Sequence, residues 1–246
     1  MMLLRASMLC LFSCQSGATE QLKFAVYDPG FPPYIFVDEQ QNVSGILADL
    51  MADYALEYGI VIDYVLDNRQ GGESRLYAGQ VDTMVLSPAW TKHPEQLLFS
   101  EEILPYTDYL FRLNKGNDIL HWRAGQSVCT RQYYVYPTLN ELFATASLLR
   151  VDASSEEAQL RMLASGRCDF AYVNELIAYW LVQEHFPDLQ IAPVEQHKAV
   201  DSLRLALSPN KADMLPGLNQ YIASKKQNGA LRKVVRTYVG TLPEQR

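Results

Sequence analysis

The chain has 246 residues, 48% of them hydrophobic and 20% charged, with a formal net charge of -7 at pH 7. This composition argues against disorder, and the length suffices for one substantial core or two modest ones. The acidic balance offers no basic field for a phosphate backbone, which sets nucleic acid aside as a partner. No run approaches the roughly 18 consecutive apolar residues of a membrane-spanning helix.

The first segment, MMLLRASMLCLFSCQSGATEQ, sets Arg5 ahead of a short apolar run from Ala6 to Phe12, with Ser16, Gly17 and Ala18 before a polar stretch. This pattern fits a signal peptide spanning 1–18 and a periplasmic destination. A frayed N-terminal helix is the alternative. Leu11, Phe12, Ser13 and Cys14 also resemble a lipobox, which would make Cys14 a lipid anchor. With Cys10 and Cys14 in this leader, only Cys129 and Cys168 remain, and a single pair suits either one disulfide in an oxidising compartment or two buried thiols. There is no CxxC and no metal-ligand spacing, so no cofactor is expected.

From Leu22 onward the pattern alternates strands and helices, which argues for small parallel sheets flanked by helices. LKFAVY (22–27), IVIDYVL (60–66) and VDTMVLS (81–87) read as strands. Between the first two, Ile46, Leu47, Leu50, Met51, Tyr54 and Ala55 share one helical face, and Gly59 ends that helix. A shorter helix near 73–78 stops at Gly79. The order recurs with strands at 127–131, 148–151 and 168–173 and helices near 139–147 and 155–164. LYAGQVDTMVLS and LASGRCDFAYVN even read alike, with Gly79 and Asp82 in one and Gly166 and Asp169 in the other. The two glycines are 87 residues apart, too far for a solenoid repeat and suited to a half-size lobe. Strands at 189–193 and 202–208 follow, then helices at 211–227 and 230–238 that are expected to return and pack on the first lobe.

In this order, LKFAVYDPGFPPYIFVDEQQNVSGILADLM, LYAGQVDTMV, LLFSEEILPY, LASGRCDFAYVNE and GLNQYIASKKQNGALRKVVRTYVG resemble the family 3 extracellular solute-binding proteins, periplasmic receptors that deliver polar amino acids to ABC transporters. The resemblance covers nearly the whole mature chain. It implies an α/β fold of the type II periplasmic-binding-protein kind, with two lobes, each a small mostly parallel sheet flanked by helices. Lobe 1 would be 19–106 plus 207–246 and lobe 2 would be 107–206, joined by hinge strands near 106–109 and 202–206. It also implies a monomer that encloses a small-molecule ligand by lobe closure.

The family's binding residues carry over unevenly. The arginine that clamps a ligand carboxylate a few residues before Phe99 and Ser100 is replaced by His93. The aspartate that meets the ligand ammonium, at the end of the strand after G-x-x-D, is replaced by Asn174. Both charges of the α-amino-acid clamp are therefore altered. Asp28 and Phe31 stand where the family lines its cleft. Arg69 or Arg131 is the cation expected to hold an anionic group, while Trp90, Phe31 and Tyr133 stack on the body of the solute. For each of these residues, surface ion pairing or ordinary packing is the alternative role.

Two other function classes compete. Periplasmic dehydratases resemble these receptors, and Glu101, Glu102 and Asp28 supply carboxylates. Yet the chain has no H-E-x-x-H, G-x-S-x-G or P-loop motif, so catalysis is not expected. A module that reports occupancy to a membrane sensor is the second alternative, with an ABC permease the expected partner otherwise.

Overall fold

The computed structural model describes residues 20–27, 30–114, 123–132, 134 and 136–240. The leader at 1–18, with Cys10 and Cys14, lies outside them. Alternation along β1 (Gln21–Tyr27) turns Leu22, Phe24 and Val26 into the core, and Ala25 is buried against the opposite layer. The strand is flanked on both sides by parallel neighbours, β5 (Val61–Asp67) and β6 (Thr83–Leu86). In the chain between β1 and β5 lie a small antiparallel sheet of β2 (Gly30–Phe31), β3 (Ile35–Val37) and β4 (Val43–Ser44), then α1 (Ile46–Tyr58). α1 buries Ile46, Leu47, Leu50, Met51 and Tyr54 along one face, as an amphipathic helix must. α2 (Arg69–Tyr77) starts at Asn68, whose side chain accepts the Gly71 N–H and so satisfies one of the free donors of the first turn.

The second half repeats the plan. β9 (Gln126–Arg131) lies between β10 (Leu148–Ala153) and β11 (Phe170–Asn174), all parallel, with α3 (Asn140–Ala144), α4 (Glu156–Ala164) and α5 (Glu175–His185) as connections and cover. Gln159 on α4 is fully buried, and its Nε2 donates to the carbonyls of Cys129 and Tyr172, which fastens the helix to β9 and β11.

The repeated G-x-x-D segment does the same work twice. Gly79 and Gly166 end their helices at φ 65° and 72°, a left-handed conformation that glycine adopts without a Cβ clash. Three residues on, Asp82 Oδ2 accepts the Lys23 N–H at 2.7 Å, and the Asp82 N–H donates to the Lys23 carbonyl at 2.9 Å. Asp169 makes the equivalent pair with Ser127, at 2.7 and 3.1 Å. Each aspartate thereby sets the register of the first strand of its half.

Two long strands unite the halves into a sheet of order β10-β9-β11-β8-β12-β6-β1-β5. β8 (Leu104–Leu113) and β12 (Ile191–Leu207) are antiparallel, and β12 also pairs with β6 and with β7 (Leu98–Phe99). The segments 189–193 and 202–208 that read as separate strands are thus largely one 17-residue strand, with a register shift between Val194 and Lys198. Polar residues in the middle of β12 hide that continuity from an apolar pattern search.

Beyond β12, a 3-10 turn at Pro209–Met214 leads into α6 (Leu215–Gln227) and α7 (Ala230–Val239). Both return to α1. The Tyr221 hydroxyl lies 2.8 Å from Leu50 O and 2.7 Å from Asp53 Oδ2, while the Tyr238 hydroxyl accepts the Gly45 N–H and bonds Asp49. α7 also touches α5 of the other half. No helix among the described residues is long and apolar enough to cross a membrane.

Cys129 on β9 and Cys168 just before β11 form a disulfide with a Cα separation of 5.7 Å, closing a loop whose ends are 39 residues apart. Chain-entropy reasoning for a loop of this length gives about 4 kcal/mol at most. Replacing both cysteines by alanine is expected to lower unfolding stability by about 2–4 kcal/mol, read from urea denaturation midpoints under non-reducing conditions.

Candidate ligand-binding cleft

Parallel strands place their functional loops at their C-terminal ends, outside the sheet. In the first half, Tyr27 ends β1, Phe31 and Tyr34 follow it, and Trp90 sits in the 3-10 turn Pro88–Trp90 after β6. Tyr106 comes from β8, which runs between the halves. These five side chains form one continuous run of rings: Tyr27 stacks on Phe31 at 5.2 Å, Phe31 meets Tyr34 at 5.4 Å, Tyr34 meets Tyr106 at 5.5 Å, and Trp90 lies edge-on to Tyr106 at 4.8 Å. Aromatic faces of this kind bind apolar or cationic groups of a solute.

Arg69 borders this run. Its Nη2 donates to the Trp90 carbonyl at 2.6 Å, and Glu73, one turn further along α2, is 3.8 Å away. Glu73 is itself bonded by Thr91 and Tyr77. Burial raises the Tyr27 hydroxyl above its ordinary value, and the Arg69 charge partly offsets this. That hydroxyl donates to the Val85 carbonyl at 2.7 Å, holding the ring at the end of the sheet.

The second half contributes Arg131, Asn174 and Asp108. Arg131 ends β9; its guanidinium bonds the Ser154 carbonyl, lies 3.4 Å from Glu156 and sits 5.6 Å from the centre of the Tyr134 ring. Asn174 ends β11 and caps α5, with Oδ1 accepting the Leu176 and Ile177 N–H groups at 3.1 and 3.3 Å. Asp108 faces Asn174 across the β8–β11 pairing. Burial pushes its carboxyl up to about 7; a hydrogen bond from Asn174 opposes the rise, and the charges of Asp201 and Glu156 add to it. Asp201 in turn accepts the Ser87 hydroxyl at 2.7 Å, tying the end of β6 to β12.

The structure therefore brings Phe31, Arg69 and Trp90 together, and it sets Arg131 and Asn174 in the facing half. His93 is 58% exposed; its ring lies edge-on to Tyr77 and 3.4 Å from Glu95. Asp28 and Tyr133 lie outside the described residues. Sequence reasoning overlooked Tyr34, Tyr106 and Asp108. For the last two a signal was present, because Tyr106 and Asp108 alternate along β8 and so share one face of a strand that had been read only as a hinge. Among the described residues, no group of three or more His, Cys, Asp or Glu side chains is placed to hold a metal ion.

Known proteins agree with this architecture. Over 165 residues the chain is 24% identical to the sensor protein EvgS of Escherichia coli O157:H7, which covers 65% of this chain; the match spans only 14% of that relative's length. Substrate binding domain 2 of GlnP from Lactococcus lactis, in its open conformation, superimposes with a TM-score of 0.74 at 15% identity, over 93% of this chain and 99% of that one. A histidine kinase sensor domain with similarity to periplasmic binding proteins gives a TM-score of 0.64 at 20% identity, over 91% of this chain and 98% of that one. The shared fold is the type II periplasmic-binding-protein architecture. The family model for bacterial extracellular solute-binding proteins, family 3, matches residues 24–241, and the chain belongs to that family.

Proposed function

We propose that the chain captures a small polar metabolite between two lobes, 19–106 with 207–246 and 107–206, does no chemistry on it, and delivers it to an ABC permease. The observation that carries this reading is the run of five rings from Tyr27, beside the C-terminal ends of β1 and β6, to Tyr106 on β8, with Arg69 at its border. The partition of strands on either side of β8 and β12 supports the lobe boundaries. Phe31 and Trp90 supply ring faces. Arg69 and Arg131 supply cations that Glu73 and Glu156 only partly compensate, since each contact is longer than a tight ion pair. Asp28 and Tyr133 join the proposed ligand set from the sequence. The periplasm is the proposed location, reached through the leader at 1–18.

A second reading, in which the chain reports solute occupancy to a membrane sensor, is favoured by the similarity to EvgS and to the histidine kinase sensor domain. Both readings share the cleft and differ in the partner.

A thermal-shift screen against amino acids, amines, organic acids and aromatic acids tests the shared part. A solute at 100 times its Kd stabilises the native state by about 2.7 kcal/mol, which is well within detection. No stabilising compound from these classes would count against the reading, and appearance of a product by mass spectrometry would replace the receptor with an enzyme. For an anionic solute, Arg69→Ala combined with Arg131→Ala is expected to weaken binding at least about tenfold, the loss typical of charge-assisted hydrogen bonds. Unchanged affinity removes both arginines from the site.

The Asp108 carboxyl gives a prediction that needs no solute. In the unfolded chain it titrates near 3.9, roughly the ordinary value, whereas burial holds it near 7 in the fold. Between those values the native state keeps a proton that the unfolded state has lost, so stability falls as pH rises from about 4 to about 7 and stays lowered above that. Asp108→Asn is expected to melt a few degrees higher than the wild type at pH 8, with the advantage vanishing toward pH 4. Differential scanning calorimetry across that range checks it, and a pH-independent difference excludes Asp108 as the cause.

A further inference from the structure

The halves meet at more than their shared strands. Tyr34 belongs to the first half, where its ring packs between Phe31 and Tyr106 with no exposure to solvent. Its hydroxyl donates across to Asn174 Oδ1 in the second half, at 2.8 Å. Asn174 is also buried, and its polar capacity is used entirely within the chain. Oδ1 accepts two backbone N–H groups of α5 besides the Tyr34 hydroxyl, while Nδ2 donates to the Thr107 carbonyl at 3.2 Å and to Asp108. Oδ1 thus receives three donors, the Tyr34 hydroxyl at the shortest distance, and both Nδ2 hydrogens are used, so no group on Asn174 is left for a solute.

Two more contacts cross between the halves beside it. Phe36 on β3 meets Trp180 on α5 with ring centres 6.0 Å apart, and Ser87 after β6 bonds Asp201 on β12. Together with the α5–α7 contact they tie the two halves to each other through the protein's own side chains.

We propose that Tyr34 is a specificity-determining latch: its hydroxyl takes the place at Asn174 that a donor group of a solute would need, and it holds the lobes closed without solute. This rests on the reading of the cleft as a solute site. Solutes that must donate to Asn174 are disfavoured because they have to displace a buried hydroxyl that is already satisfied. Solutes that use the ring run and Arg69 leave the latch intact.

Distance measurements on the full chain, freed of co-purified solute by unfolding and refolding, test the latch. Spin labels on unnatural ketone residues replacing the exposed Leu56 on α1 and Leu149 on β10 report the lobe separation without touching the cysteines. The wild type is expected to show one short distance. Tyr34→Phe keeps the ring and its packing, and is expected to shift the closed-to-open ratio toward open on the order of fivefold, the effect of one neutral hydrogen bond. Its cooperative urea transition verifies that it folds. A wild type that is predominantly open without solute overturns the latch, and so does a Tyr34→Phe distribution identical to a closed wild type. Because no solute is present in this measurement, an empty ligand screen leaves its result standing, and a failed latch leaves the ligand screen to be judged by itself.

Discussion

The antiparallel pairing of β8 with β12 is the constraint on which the rest of the molecule depends. It runs from Leu113 opposite Ile191 to Leu104 opposite Leu203, and the same β12 continues into register with β6. Each half-sheet therefore ends on a strand that also belongs to the other. A crossing made of two paired strands resists shear, because sliding one past the other would break a ladder of backbone hydrogen bonds, yet it can bend and twist where the ladder is irregular. The register shift between Val194 and Lys198 lies on this pair. For lobes that close as proposed, closure is a rotation about this strand pair, in which residues on it, such as Tyr106 and Asp108, move least and side chains farther out move most.

Polar groups near this axis are paired within the chain to an unusual extent. Ser87 is tied to Asp201, Asn174 to Tyr34 and Thr107, and Tyr27 to Val85. Burying such groups without partners costs more than each bond returns, so the network acts chiefly by making misaligned closures unfavourable. Asp108, although bonded by Asn174, is disfavoured in its charged form. Its raised pKa means that ionisation near neutral pH places a charge beside Asp201 and Glu156, an arrangement that opposes folding.

How far the sequence revealed this depends on the kind of signal each feature carries. The strands and helices of both halves were readable because apolar residues follow a period of two or 3.6, and the duplicated G-x-x-D segment was readable because glycine and aspartate each have a backbone task that nothing else performs as well. The continuity of β12 was not, since Glu195, Gln196, Lys198 and Asp201 interrupt its apolar pattern although its pairing with β8 resumes at Lys198 after the register shift. α5 was missed because Leu176, Ile177, Ala178, Trp180 and Leu181 follow β11 at once and extend its apolar run. Phe31, Arg69 and Trp90 are singled out in the sequence by their place relative to family motifs. Tyr34 escaped because its role depends on Asn174, 140 residues away, and no local pattern encodes such a pairing.

The same pairing bears on how solute binding can be communicated. A ligand moves a two-state equilibrium only by the difference between its affinities for the two states. In a receptor that rests open, most of the binding energy realised on closure appears as a change of shape that a partner can recognise. In one already held closed by Tyr34, Phe36 and Ser87, a solute fitting the closed cleft gains nothing by closing it, and its affinity carries little of the closure cost. Such a solute binds tightly but signals weakly, whereas one that breaks the Tyr34–Asn174 bond binds less tightly and drives the larger change. Under the proposed latch and the sensor reading, the informative ligand is the one that opens the latch, and affinity alone ranks solutes in the wrong order for signalling.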